Sequence, residues 1–113
     1  MSRSPQIFIV ASAELYSSYL ETNGMASTVF HDGASALLQM EVCAPKVMLL
    51  DLELPDMNGL EILEQIGRRG LPISVIVITS NGSVDVAVEA MRLGASDFLE
   101  KPFTKSRLLV TLS

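Results

Sequence analysis

Residues 47–66 read VMLLDLELPDMNGLEILEQI. Val47 to Leu50 is a short run that is apolar at every position, the pattern of a strand covered on both faces. Asp51 follows at once. The stretch Leu54-Pro55-Asp56-Met57-Asn58-Gly59 then supplies turn chemistry. Leu60, Ile62, Leu63 and Ile66 continue at helical spacing, and Gly67 and Gly70 punctuate the end. Buried strand, turn and amphipathic helix together make one βα unit.

The same rhythm runs outward in both directions. Upstream, Ile7-Phe8-Ile9-Val10 is a strand, and Leu15, Tyr16, Tyr19 and Leu20 lie on one face of a short helix that stops near Gly24. Ser27 to Phe30 is a weaker strand. Asp32-Gly33 opens a helix with Ala34, Ala36, Leu37 and Met40 as its apolar positions. Downstream, Ile73 to Ile78 is the clearest strand. Ser83 is a suitable N-cap and Asp85 suits the first turn of a helix. That helix is expected to bury Val84, Ala87, Val88 and Met91 and to close at Gly94. Phe98-Leu99 anchors a fifth strand, and a last helix from about Thr104 carries Leu108, Leu109 and Leu112. Alternating strands and helices imply an α/β fold: a flavodoxin-like, doubly wound, five-stranded parallel sheet of order 2-1-3-4-5 with helices on both faces. Ligands of such sheets sit outside the carboxyl ends of the strands, where the winding reverses. Here that point lies between Val10-Ala11-Ser12 and Asp51.

Composition narrows the function. The chain has 113 residues, one domain's length, and 49% are hydrophobic against 19% charged. No apolar run approaches the ~20 residues that span a bilayer. The opening Met1-Ser2-Arg3-Ser4-Pro5 is not a secretory leader, so a cytoplasmic location without membrane contact is expected. The net charge of −5 lacks the basic footprint of a DNA-binding domain, and the basic pair Arg68-Arg69 reads as decoration of a helix end. Cys43, the sole cysteine, reads as a small buried hydrophobe. His31 and the six methionines read as structural, and no Gly-rich phosphate cradle or zinc spacing is present.

Chemistry concentrates at the strand ends. Asp51, Thr79 and Lys101 each follow an apolar strand directly, so a parallel sheet brings a carboxylate, a hydroxyl and an ammonium to one edge. Singly, each is an ordinary cap or surface residue. Together they suit an aspartyl phosphate: a carboxylate nucleophile, a mobile positive charge and a hydroxyl donor. Phosphoryl transfer is mainly positioning and charge neutralisation.

The blocks Val47–Gly59, Ile76–Thr79 with Ala87–Ala95, and Asp97–Phe103 resemble, in order, the third strand and loop, the fourth strand and helix, and the fifth strand of response-regulator receiver domains. The resemblance covers residues 6–113, taken as one receiver domain. It implies that Asp51 accepts phosphate from a histidine kinase or phosphotransfer protein. Thr79 would be the switch hydroxyl, Lys101 the phosphate-facing amine, Phe98 the aromatic switch, and Lys101-Pro102 a cis bond. Plain core packing is an equal reading of Phe98. The family binds magnesium (Mg2+), with Asp51 and the main-chain carbonyl of Glu53 as ligands. The last two blocks resemble the receivers of sigma-54-dependent transcription activators. A homodimer through the fourth-strand to fifth-helix face, and DNA contact only through an output domain absent from these residues, are expectations of the same kind. The chain stops mid-helix on this reading, as a fragment of a longer regulator would.

One part of the pattern is missing. Receivers carry two acidic residues directly after the first strand to complete the metal site. Here the sequence is Val10-Ala11-Ser12-Ala13-Glu14. Either Ala11 and Ser12 stand at the acidic positions, or the acidic loop is deleted. The stretch to Gly24 is short by roughly one helical turn, ~3.6 residues, which favours deletion. Magnesium prefers octahedral oxygen ligation with one or two carboxylates. Asp51 and one carbonyl make a weak site, and Glu14 suits a helix N-terminus better than a ligand. Lys101 is then left to pair with Asp51. The reading is a receiver with impaired metal-dependent phosphorylation. The alternatives are a phosphorylation-independent interaction module and a phosphatase using Asp51 with Glu53, whose loop does not fit. Isothermal titration is expected to show little magnesium binding, and an affinity ordinary for receivers refutes the reading.

Overall fold

The computed structural model of the chain describes residues 7–11 and 15–112. Ser12, Ala13 and Glu14, together with Met1 to Gln6 and Ser113, lie outside the described residues. In chain order the elements are β1 (Ile7–Val10), α1 (Leu15–Glu21), β2 (Ser27–Phe30), α2 (Gly33–Val42), β3 (Val47–Asp51), α3 (Gly59–Arg69), β4 (Ser74–Thr79), α4 (Val84–Arg92), β5 (Asp97–Glu100) and α5 (Lys105–Leu112). The strands pair in parallel, in the order β2-β1-β3-β4-β5. This is the flavodoxin-like α/β fold expected from the sequence.

Strand alternation explains why the runs are apolar throughout. Phe8, Val10, Met48, Leu50, Val75 and Val77 point to one face and pack with Ala36, Met40, Ile62, Leu63, Ile66 and Ala90 of α2, α3 and α4. Ile7, Ile9, Leu49, Ile76, Ile78 and Leu99 point to the other and pack with Tyr16 and Leu20 of α1 and Leu108 of α5. Successive side chains of β1, β3 and β4 therefore feed two cores, so the middle of each is apolar, while the edge strands β2 and β5 carry polar residues such as Thr28 and Asp97.

Helix termini follow local chemistry. Asp32 caps α2 by accepting from Ser35 N, Asn58 caps α3 by accepting from Leu60 N, and Ser83 caps α4 by accepting from Val86 N. Gly70 ends α3 in the left-handed region at φ 63°, where a side chain is strained. Arg68 pairs with Glu64, and Arg69 reaches Glu41 of α2, so the basic pair decorates the end of α3 as expected.

Three helix faces differ from expectation. The sequence of α4 carries two apolar stripes, and the one facing the sheet is Val86, Ala90 and Leu93. Val84, Val88 and Met91, expected inside, face out. The small Ala90 is fully buried and lets the helix approach the strands closely. In α1, Leu15 is exposed while Tyr16 and Leu20 are buried. Ala34, expected on the apolar face of α2, is exposed, and Cys43 is half-buried at that helix's C-cap.

Gly59 fixes the path from β3 to α3. A Cβ there would lie 2.5 Å from the carbonyl oxygen of Asp51 and 2.9 Å from Leu52 Cα. Both are backbone atoms and neither can swing away. Gly59→Ala is therefore expected to lower stability by about 1–3 kcal/mol in urea denaturation. Val88→Ala, on the outer stripe of α4, is expected to stay within about 0.5 kcal/mol of the parent.

Candidate functional site

The register of three strands builds the site. Asp51 pairs with Ile78, and Thr79 pairs with Glu100, so the ends of β3, β4 and β5 are level. Main-chain bonds extend this edge beyond the strands: Leu52 N donates to Ile78 O at 2.9 Å and Lys101 N to Thr79 O at 2.8 Å. Lys101-Pro102 is cis. Asp51, Thr79 and Lys101 thus converge as their positions in the sequence suggested.

Asp51 is 2% exposed and Thr79 is 1% exposed. Both Asp51 oxygens are engaged. Oδ1 accepts from Glu53 N at 2.9 Å, and Oδ2 accepts from Lys101 Nζ at 2.7 Å. The pairing of Lys101 with Asp51, expected from the missing acids, is present. The ammonium also lies 3.3 Å from Glu53 Oε1. Burial alone would lower the pKa of Lys101, but the hydrogen bond and charge of Asp51, helped by Glu53, hold it above the ordinary lysine value.

The residue that sequence reasoning undervalued is Glu53. Its main chain forms an antiparallel bridge with Asn58, and its side chain turns back over the strand ends. Glu53 Oε2 accepts from Thr79 Oγ1 at 2.5 Å, and both carboxylate oxygens lie 3.3 Å from Ser80 N. Burial pushes its pKa up, but the Thr79 hydroxyl, the Ser80 amide and Lys101 prevail and hold it below the usual carboxylate value. The signal in the sequence was its spacing of two residues from Asp51, read there for a main-chain ligand and for a phosphatase acid.

Tyr16 was read only as an apolar position of the first helix. It stacks on Phe103 with ring centroids 5.3 Å apart and planes at 19°. Burial raises the pKa of its phenol, the charge of Lys101 lowers it and that of Asp51 raises it, so the ring sits within electrostatic reach of the site. Phe98 is half-buried and packs against the core on the α2–α4 side. His31 Nδ1 lies 3.2 Å from the Ala11 carbonyl, at the ends of β2 and β1. Asp56 lies away from the trio: its oxygens accept from Gly33 N at 2.8 Å and Ala34 N at 2.9 Å. Those main-chain bonds lower its pKa and fasten the β3–α3 loop to the start of α2.

A magnesium ion fits the described residues poorly. Among them, no group of three or more His, Cys, Asp or Glu side chains is placed to hold a metal. Ala11, buried just after β1, has no side-chain oxygen to offer. The ammonium of Lys101 already rests on Asp51 Oδ2. Ser12 and Glu14 lie outside the described residues.

Lys101→Ala removes the cation paired with a buried carboxylate. It is expected to cost about 1–3 kcal/mol in denaturant melts, the penalty of stranding a buried acceptor. In an Asp51→Asn background the same substitution is expected to cost much less, and equal costs in both backgrounds would show that the pair is not coupled.

Comparison with known proteins identifies relatives of this fold. The family model for the response regulator receiver domain matches residues 10–113. The luminescence regulatory protein LuxO of Vibrio campbellii is 41% identical over 101 residues, which is 89% of this chain and 22% of that protein. The transcriptional regulatory protein FixJ of Rhizobium meliloti is 46% identical over 88 residues, covering 74% of this chain and 41% of that one. The crystal structure of the signal receiver domain of a LuxO repressor from Vibrio parahaemolyticus superposes with a TM-score of 0.90 at 35% identity, covering 97% of this chain and 88% of that one. The chain thus spans about a fifth of the LuxO protein and under half of FixJ. The resemblance to receivers of transcription regulators holds, and such a domain is a signalling unit rather than an enzyme. With the sheet order, the aligned strand ends and these relatives in agreement, the chain belongs to the response-regulator receiver family of two-component signalling.

Proposed function

We propose that residues 6–113 form a receiver whose phosphoacceptor position is Asp51 and whose magnesium-dependent phosphorylation is weak or absent. The observation that carries this reading is the closed set of contacts around Lys101. Its ammonium is shared by Asp51 and Glu53, 2.7 Å and 3.3 Å away, with no third metal-binding side chain beside them among the described residues. The family's metal balances negative charge as a phosphoryl group arrives. Here a fixed ammonium supplies one positive charge against two carboxylates. Thr79, Lys101 and Phe98 keep the roles of switch hydroxyl, phosphate-facing amine and switch aromatic.

The domain would take its signal from a histidine kinase or phosphotransfer protein and pass it to a partner or output domain in the cytoplasm. DNA contact would belong to that output domain, as in a regulator of transcription. No helix among the described residues is long and apolar enough to cross a membrane. A second reading, an interaction or dimerisation module independent of phosphorylation, is favoured by one contact: the Thr79 hydroxyl is already taken by Glu53.

Intact-mass spectrometry before and after incubation with magnesium and a small-molecule phosphodonor separates the two, with Asp51→Asn alongside. Little or no added phosphoryl group is expected. A stoichiometric addition that the variant loses makes the domain a working switch and overturns the impaired metal site. A complete absence favours the interaction module.

A further inference from the structure

A phosphoryl group on Asp51 would present oxygens to the donors at the ends of β4 and β5. In this structure those donors already converge on one side chain. Thr79 Oγ1 at 2.5 Å, Lys101 Nζ at 3.3 Å and Ser80 N at 3.3 Å all address the Glu53 carboxylate. That carboxylate is anionic, planar and tethered two residues from Asp51. Glu53 N is in turn held by Asp51 Oδ1 at 2.9 Å, which anchors the arm next to the acceptor. Charge-assisted bonds of this kind are the strong ones in a partly dry site.

The contacts continue beyond Thr79. Asn81 N donates to Thr79 Oγ1 at 3.0 Å, Ser83 N donates to Asn81 Oδ1 at 3.2 Å, and Val86 N donates to the capping Ser83 Oγ at 3.3 Å. Hydrogen bonds joined through residues Asn81 and Ser83 therefore lead from the Glu53 carboxylate to the first turn of α4. The Thr79 hydroxyl donates one bond and accepts another, so its orientation serves both ends at once.

We infer that the Glu53 carboxylate is a built-in substitute for phosphoryl oxygens, holding Thr79 inward and the β4–α4 turn in its anion-bound arrangement without covalent modification. The inference rests on the reading of Thr79 and Lys101 as phosphoryl-facing groups. It adds that this chain supplies the anion itself, from a position where a side chain of another type would leave those donors to water. The arm of residue 53 then sets the resting state of α4 before any phosphoryl group arrives.

The test is solution NMR of the 113-residue chain without any phosphodonor, comparing the parent with Glu53→Ala and Glu53→Asp. Couplings across the Thr79 side chain read its rotamer, and amide shifts read the turn. The parent is expected to show one Thr79 rotamer. Both variants are expected to show rotamer averaging, with shifts at Ser80, Asn81 and Ser83 through to Val86, while Ile7–Val10 and Ala36–Met40 stay in place. Glu53→Asp keeps the charge and shortens the arm, so release there shows that reach, not net charge, holds the hydroxyl. It also serves if the alanine variant folds poorly. A single Thr79 rotamer with unmoved Ser80 in Glu53→Asp overturns the inference. Acceptance of phosphate by Asp51 is read separately by mass, so either result can fail while the other stands.

Discussion

One ammonium group held between two carboxylates governs the carboxyl edge of this sheet. Asp51 is almost wholly buried, and a buried carboxylate without a partner costs several kcal/mol. Lys101 compensates it because β3, β4 and β5 end level with one another and its side chain, directly after β5, reaches Asp51. The same ammonium fixes where the Glu53 side chain can rest. Through Glu53, Thr79 and Ser80 come under its influence as well. Register, burial and charge are thus satisfied together.

The close approach at Gly59 belongs to this arrangement. It brings α3 against the backbone of Asp51 and Leu52, which bends the chain after β3 tightly enough for Glu53 to fold back toward Thr79. Asp56 then fastens the far side of the same loop to the N-terminus of α2, where the exposed helix amides favour a negative charge. The loop is held at both ends by carboxylates with different duties: one faces the site and one braces the scaffold.

Most of the fold was legible because the central strands are apolar along most of their length and the caps are chemically explicit. Asp51 and Thr79 were legible for the same reason, each being the first polar residue after a buried run, and Lys101 because it directly follows the last strand. Glu53 was legible only by its spacing. The reach of its side chain depends on the turn between β3 and α3, whose path is set by packing that a linear pattern does not encode. Tyr16 was hidden by its dual nature, since an apolar ring at helical spacing reads as core whether or not it faces charges. The inner face of α4 was misread because the sequence offers two apolar stripes. The hydrophobic effect is non-directional and ranks them poorly, and the choice fell to the fit of a small alanine against the sheet.

That double-striped helix separates two kinds of constraint. Val86, Ala90 and Leu93 answer to the core, where a change of one methylene is felt. Val84, Val88 and Met91 are exposed and belong to neither core. Sequence drift on the outer stripe can therefore alter the surface of the helix without touching the fold beneath it or the hydrogen bonds that reach its first turn. Such a surface can change one residue at a time while the core beneath it stays the same.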